Sequence, residues 1–343
     1  MDELKLKALR ARFTDVDTFD IDDPVLAAAA SKISAGGRRT LPYSGISTFL
    51  DLPHQEGAAD LDIAAVGIPM DLGVSNRSGA RLGPRALRSV ERIGPYHHRF
   101  RGVPKSECRV ADIGDVPFRS RYSLEQSLED IETFYRDLVA HGVRPLSVGG
   151  DHSVTYPILK ALGADRPVGM IHIDAHCDTG GVYDGSKFHH GGPFRLAVLD
   201  GVLDPERTIQ IGIRGGSNWI WEFSYVSGMT VICIEDFIRM GVEAVAQKAR
   251  DVVGRGPVYL SIDVDGFDPV FAPGTGTPEV GGLSSRDGME LLWRLAGLDF
   301  VGADVVEVAP QYDPTTNTAQ LGAQLLFEEL ALMTLGRNVV LPA

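Results

Sequence analysis

The stretch VGMIHIDAHCD, Val168 to Asp178, begins as a near-continuous apolar run and ends on Asp174, His176 and Asp178. A short, β-branched run of this kind suits a strand covered on both faces. Similar runs recur at Leu61 to Pro69, Arg144 to Gly150, Arg207 to Ile213, Met229 to Ile234, Val258 to Asp263 and Val301 to Val308. The intervening segments read as helices, most clearly from Ser123 to His141. There Ser123 and Gln126 form a capping pattern, Leu124, Leu128, Ile131, Tyr135 and Leu138 fall on one face, and Gly142 stands where a C′ glycine belongs. Strands alternating with helices over most of the chain predict an α/β fold: a single-domain, three-layer α-β-α arrangement around a mostly parallel sheet. No repeat, low-complexity linker or compositional break divides residues 61–343. Residues 1–60 alternate less cleanly and carry Pro42, Pro53 and the run Ala27 to Ala30. They are expected as an N-terminal arm packed on the main body or on a neighbouring subunit.

The 343 residues are 44% hydrophobic and 23% charged, the balance of a globular protein able to bury a full core. A net charge of -13 with no Lys/Arg-rich stripe argues against a nucleic-acid partner. Cys108, Cys177 and Cys233 are odd in number and lack CxxC spacing, which points away from a disulfide framework or a thiolate metal site. No run approaches the roughly 20 apolar residues of a membrane helix. The segment Met1 to Phe13, MDELKLKALRARF, lacks the apolar core of a secretory signal. A cytoplasmic protein with no membrane partner is the expectation.

Acids and histidines concentrate at three strand ends: Gly149-Gly150-Asp151-His152-Ser153, Asp174-Ala175-His176-Cys177-Asp178 and Asp263-Val264-Asp265. Residues two apart in an extended chain share a side, so Asp174, His176 and Asp178 can line one face, and Asp263 and Asp265 another. Carboxyl ends of parallel strands border the crevice where ligands bind. A single aspartate at a strand end is commonly a turn former or helix cap. Several carboxylates in one crevice are different, because they repel one another and are costly to desolvate unless cations hold them. Four Asp and two His without sulfur form a hard O/N set that suits Mn first and also admits Ni, Co or Zn. That donor count exceeds what one open catalytic metal uses, and predicts two divalent ions per chain sharing carboxylates.

The segments GGDHS, DAHCD and SIDVDGFDP, the last followed by APGTGTPEVGG, resemble the signature segments of the ureohydrolases, the family of arginase, agmatinase and guanidinobutyrase. Further matches at Arg77 to Pro84, Asp112 to Asp115, His190-Gly191 and Val306-Glu307-Val308 spread the resemblance over nearly all the chain after about residue 60. It implies an arginase/deacetylase-like fold and hydrolysis of a small guanidino compound to an amine and urea. By the same resemblance, His152, Asp174, Asp178 and Asp263 hold one ion. His176, Asp174, Asp263 and Asp265 hold the other, with Asp174 and Asp263 bridging. The implied nucleophile is a hydroxide between the ions, its parent water lowered from about 15.7 toward about 7, and Asp178 orients it. Glu307 matches the acid that pairs with the guanidinium. His190, next to His189, matches the proton shuttle. The family also implies a homo-oligomer, trimer or hexamer, with a mixed assembly as the alternative.

Arginases in this family carry Asn and Ser after the DAHCD-like segment and an acid after the strand matching IQIGIRG, to hold an α-amino-acid head. Here Gly180 and Gly215 stand at those places, while Pro193-Phe194-Arg195 and IGIRG resemble the agmatinase-like branch. The loop Thr179 to His190 offers Tyr183, Asp184 and Phe188 as substrate-binding residues. A carboxylate-ended substrate could meet Lys187 or Arg214, and a cationic one Asp184. Agmatine, guanidinobutyrate and guanidinopropionate are the expected substrates, with free guanidine or a substituted biguanide such as metformin as the alternative. A one-zinc deacetylase has no use for the extra donors His152 and Asp265, and a non-catalytic subunit would be expected to have lost some of the set. Cys177 is expected to pack away from the metals. Trp219, Trp221, Phe223 and Tyr225 alternate in a way that predicts burial beside the pocket mouth.

Overall fold

The computed structural model describes residues 2–16, 20–34, 44–90, 95–216 and 218–338. Among them eight strands form one sheet: β1 (Ile63–Gly67), β2 (Val110–Asp115), β3 (Arg144–Val148), β4 (Val168–Ile173), β5 (Leu203–Ile213), β6 (Thr230–Cys233), β7 (Pro257–Asp263) and β8 (Asp299–Val306). Their order is β2-β1-β3-β8-β7-β4-β5-β6, and every described pairing is parallel.

Alternate residues of each strand supply the two faces. Ile63, Ala65, Ile171, Ile173, Leu260 and Ile262 pack with the helices Val242–Val253, Ser285–Arg294 and Asn317–Met333. Ala64, Val66, Met170 and Tyr259 pack on the other face with Leu124–Ala140, Thr155–Leu162 and Pro193–Leu199. Each large apolar side chain buried this way contributes about 1.5–3 kcal/mol, which fixes the strand register and gives the expected three layers. The helix Leu124–Ala140 is capped by Ser123, whose Oγ accepts from the Gln126 N–H at 3.3 Å. Gly142 follows at φ 73°, the left-handed conformation that glycine adopts without a Cβ penalty.

Two segments differ from the sequence expectation. Strand β2 lies outside the apolar runs because acids interrupt it, and Arg88 supplies the compensation, meeting Asp112 at 2.8 Å and Asp115 at 2.5 Å. The aromatic segment, expected to be buried beside the pocket mouth, forms a helix, Asn218–Ser227. On a helix, residues two apart face different ways; Tyr225 is exposed, whereas Trp221 and Phe223 are half-buried. Residues 1–60 hold the helices Glu3–Phe13 and Pro24–Ser34, with Ala29 and Ala30 buried, and Pro42 lies outside the described residues. Among the described residues no helix is long and apolar enough to cross a membrane.

Candidate metal centre

Sheet order decides which strand ends meet. The neighbours β3, β8, β7 and β4 lead respectively into Asp151-His152, Glu307, Asp263 to Asp265, and Asp174 to Asp178. Four segments far apart in sequence thus open onto one crevice at the carboxyl edge of the sheet.

His152 Nδ1 lies 2.9 Å from Asp178 Oδ2, 3.1 Å from Asp174 Oδ2 and 3.5 Å from Asp263 Oδ2. His176 Nδ1 lies 3.2 Å from Asp265 Oδ2 and 3.5 Å from Asp174 Oδ1. All six predicted ligands therefore converge, with Asp174 facing both histidines through its two oxygens. Backbone donors aim the carboxylates. The His176 N–H donates to Asp174 Oδ1 at 2.6 Å, the Asp265 N–H to Asp263 Oδ1 at 2.7 Å, and the Ala175 N–H to Asp265 Oδ1 at 3.1 Å.

The protonation pattern of His152 follows from what stands behind it. Asp304 accepts from the Ser261 hydroxyl at 2.7 Å, so Ser261 Oγ can only accept from His152 Nε2–H, 2.9 Å away. In the neutral ring Nδ1 then keeps its lone pair, fully buried and with three carboxylates within 3.5 Å. Burial alone would lower the imidazole, but those carboxylates draw a positive charge to this position and push it well above its ordinary range. A lone pair facing three anions is unfavourable unless a cation sits between them. The carboxylates report the same crowding. Burial, and then the charges of Asp265 and Asp174, push Asp263 well above the ordinary carboxylate range. Burial and Asp174 push Asp265 up to about 6. The donor set and its electrostatics thus fit divalent cations.

His172 shares the crevice, yet neither of its nitrogens is left for an ion. Gln210 Nε2 donates to its Nδ1 at 3.1 Å, and its Nε2–H donates to Asp174 Oδ2 at 2.7 Å. The cross-strand register puts Ser147, Asp304, Ser261, His172 and Gln210 in one row across β3, β8, β7, β4 and β5. This fully buried polar row holds His152 and Asp174 from beneath, the kind of support that orients metal ligands.

Glu307 follows β8 at φ 64° and Asp178 has φ 50°. Left-handed backbone at a residue other than glycine costs about 1 kcal/mol or more and persists where surrounding contacts hold it. For Glu307 those contacts are the His152 N–H, donating to Oε1 at 2.9 Å, and His190 Nδ1, 2.8 Å from the same oxygen. Glu307 Oε2 is buried without a partner. Burial alone would lower the His190 imidazole, but the Glu307 carboxylate outweighs it and lifts it to about 9. His190 Nε2 meets Ser75 Oγ at 2.7 Å, whereas His189 Nε2 bonds the Gly181 carbonyl at 2.7 Å. The two adjacent histidines are thereby separated: His190 joins the Glu307 cluster and His189 ties down the loop. Ser75 gave no signal in sequence, since it lies in a polar loop that only folding brings to His190.

A cavity of about 470 Å³ opens from these residues, with His176, Asp178, Asp263 and His190 in its wall together with Tyr183, Trp221 and Arg195. Glu307 stands behind His190 rather than in the wall. Three expected substrate-binding residues fall elsewhere. All five N–H donors of Arg214 are occupied by the carbonyls of Val280, Gly212, Gly266, Asp265, Phe267 and Glu279, so Arg214 clamps the loops rather than offering itself to a ligand. Phe188 turns away to pack beside Tyr156, ring centroids 6.3 Å apart, and Asp184 is exposed outside the wall. Lys187 lies over the Phe188 ring at 4.7 Å. Of the loop candidates, Tyr183 alone borders the cavity. Cys177 contributes to the wall, and burial pushes its thiol up to about 12. Gly180 and Gly215 admit no side chain, since a Cβ would lie 2.7 Å from the Gly191 carbonyl oxygen and 2.5 Å from His176 Nε2 respectively.

Known proteins share this architecture. A model of the arginase family matches residues 61–331. The chain is 50% identical to the guanidinopropionase of Pseudomonas aeruginosa over 295 residues, which cover 85% of this chain and 92% of that protein. It is 42% identical to the guanidinobutyrase of the same organism over 305 residues, 87% of this chain and 95% of that one. The solved structure of proclavaminate amidino hydrolase from Streptomyces clavuligerus has a TM-score of 0.83 and 34% identity, covering 87% of this chain and 100% of the other. A likeness that spans the whole sheet and every strand end of the crevice has one meaning for descent: the chain belongs to the arginase family.

Proposed function

We propose that this chain is a two-metal amidinohydrolase that cuts a small guanidino compound into an amine and urea. The observation that carries the proposal is His152 Nδ1, its lone pair turned by Ser261 toward Asp174, Asp178 and Asp263. His152, Asp174, Asp178 and Asp263 would hold one ion, and His176, Asp174, Asp263 and Asp265 the second. Their hard oxygen and imidazole donors favour manganese, and nickel also suits them. Bound there, two divalent ions supply Lewis acidity and a nucleophilic water near neutral pH.

The remaining work falls to side chains. Glu307, with Oε2 buried and unpartnered behind the cavity wall, is the acid left to pair with a guanidinium that enters past His190, through a charge-assisted bond. The Glu307 carboxylate favours the protonated form of His190, which stands between Glu307 and Ser75, where it can hand a proton to the departing amine. Asp178, beside His152, orients the attacking water. Guanidinopropionate and guanidinobutyrate, the compounds named for the two relatives, are the first candidates. Arginine is a poor one, because Gly180 and Gly215 leave no side chain to clamp an amino-acid head.

The test is urea release from the metal-loaded chain across guanidino acids, agmatine, arginine, guanidine and a biguanide, with Mn and Ni in parallel. Release of urea from a guanidino compound supports the proposal. Full metal occupancy with no urea from any compound in the panel would sink it.

A further inference from the structure

Every acid and histidine in the cavity wall has a place in the metal and guanidinium machinery or in the loop, but one cation does not. Arg195 is the one lysine or arginine among the described residues lining the cavity. Its Nε donates to the Thr179 carbonyl at 2.8 Å and its guanidinium lies 4.6 Å over the Phe223 ring. These contacts fix the plane of the group, and no hydrogen bond or ion pair to Nη1 or Nη2 occurs among the described residues. The inner side is open because residue 181 is glycine; a Cβ there would stand 3.4 Å from Nη1, close enough to crowd anything docking on the fork. A half-buried, pre-oriented fork with unused donors, bordering the same cavity as the metal ligands, is the geometry that takes a carboxylate through two parallel bonds.

We propose that Arg195 is the specificity-determining residue that receives the far-end carboxylate of an ω-guanidino acid. The inference rests on the amidinohydrolase reading above and narrows its substrate class. A substrate anchored by its guanidinium near Glu307 and by its carboxylate at Arg195 is held at both ends. Arg214 and Lys187 cannot substitute, the first being fully bonded and the second lying on Phe188 outside the cavity wall.

The experiment compares guanidinopropionate with guanidinopropionamide, which has the same length and a neutral end, on the metal-loaded wild type, Arg195→Met and Arg195→Lys. Methionine keeps an apolar stem against Phe223; lysine keeps the charge and loses the fork. A charged hydrogen-bond pair predicts that wild type favours the acid by about 10- to 100-fold in kcat/KM, chiefly through KM. The preference should fall to near unity in Arg195→Met and recover partly in Arg195→Lys. Calorimetric titration of the metal-free chain with both compounds reads the same preference without turnover. A structural role for Arg195 would depress both compounds alike and leave their ratio unchanged, which overturns the proposal. So does a wild type that turns over or binds the amide as well as the acid, a result that does not depend on any variant folding. If wild type releases urea from no guanidino compound, the amidinohydrolase reading itself fails, a distinct outcome.

Discussion

The floor and the mouth of the crevice are built on opposite principles. The floor is the polar row Ser147, Asp304, Ser261, His172 and Gln210, one residue from each of five adjacent strands, all fully buried, with Ser261 bonded to His152 and His172 to Asp174. The mouth is a loop in which Val182 and Tyr183 are 72% and 57% exposed. A buried polar network is costly unless each member finds a partner, so the floor admits few alternatives and holds one geometry. An exposed loop carries little such constraint and can vary with the substrate. On the proposed function, sheet register would set the chemistry and side chains reaching in from the rim the selectivity.

The largest effects are expected at the candidate ligands. Replacing Asp174 or Asp263 with alanine should empty both metal positions and abolish urea release, because the proposed assignment gives each of them to both ions; chelation should do the same reversibly. Two tightly held ions in Asp263→Ala, measured by elemental analysis, would refute the shared-ligand assignment. Next in size is Glu307→Gln, which keeps a hydrogen-bonding oxygen for the His152 N–H and removes the charge. It should lower kcat/KM by roughly 30- to 1000-fold with metal content intact; unchanged kcat/KM rules Glu307 out as the guanidinium partner. One layer deeper, Asp304→Asn releases Ser261 from its role as donor and should weaken metal affinity about 10- to 100-fold. Affinity equal to wild type by calorimetry would show that the row does not set the His152 tautomer.

The mouth should respond more gently. Tyr183→Ala is expected to shift substrate KM by about tenfold or less without loss of metal. A drop in bound metal would erase the distinction between floor and mouth. The smallest effect is expected at Cys177. With its thiol lifted to about 12, it should resist alkylation by iodoacetamide in the native chain at neutral pH. Rapid labelling, read by mass spectrometry, would mean that the wall opens far more than the folded geometry allows.

Much of this organisation was legible in the chain. Apolar runs bounded by Gly, Pro and Asp identify seven of the eight strands, because a strand buried on both faces writes itself as an unbroken apolar segment. The six candidate metal ligands are legible for a related reason: a hard donor at a strand end, repeated in three segments, has no comparable structural explanation. Strand β2 was missed because its acids are neutralised by Arg88, a partner more than twenty residues distant. The aromatic segment places Trp221 at the cavity as expected, but Tyr225 is exposed, because on a helix residues two apart face different ways.

Sequence alone, then, determines the local facts: which segments are strands, where the glycines permit turns, and which donors wait at strand ends, since these depend on neighbours within a few residues. Tertiary structure alone decides what each polar side chain is for. Arg214 and Arg195 are both arginines soon after a motif, but one is enclosed by six carbonyls and the other keeps its fork free at a cavity. His189 and His190 are adjacent, yet one bonds a loop carbonyl and the other Glu307. The physical reason is that a hydrogen-bonding group acquires its role from the partners that reach it. Those partners arrive from β3, β4, β7 and β8 in an order that strand pairing, and no local pattern, establishes.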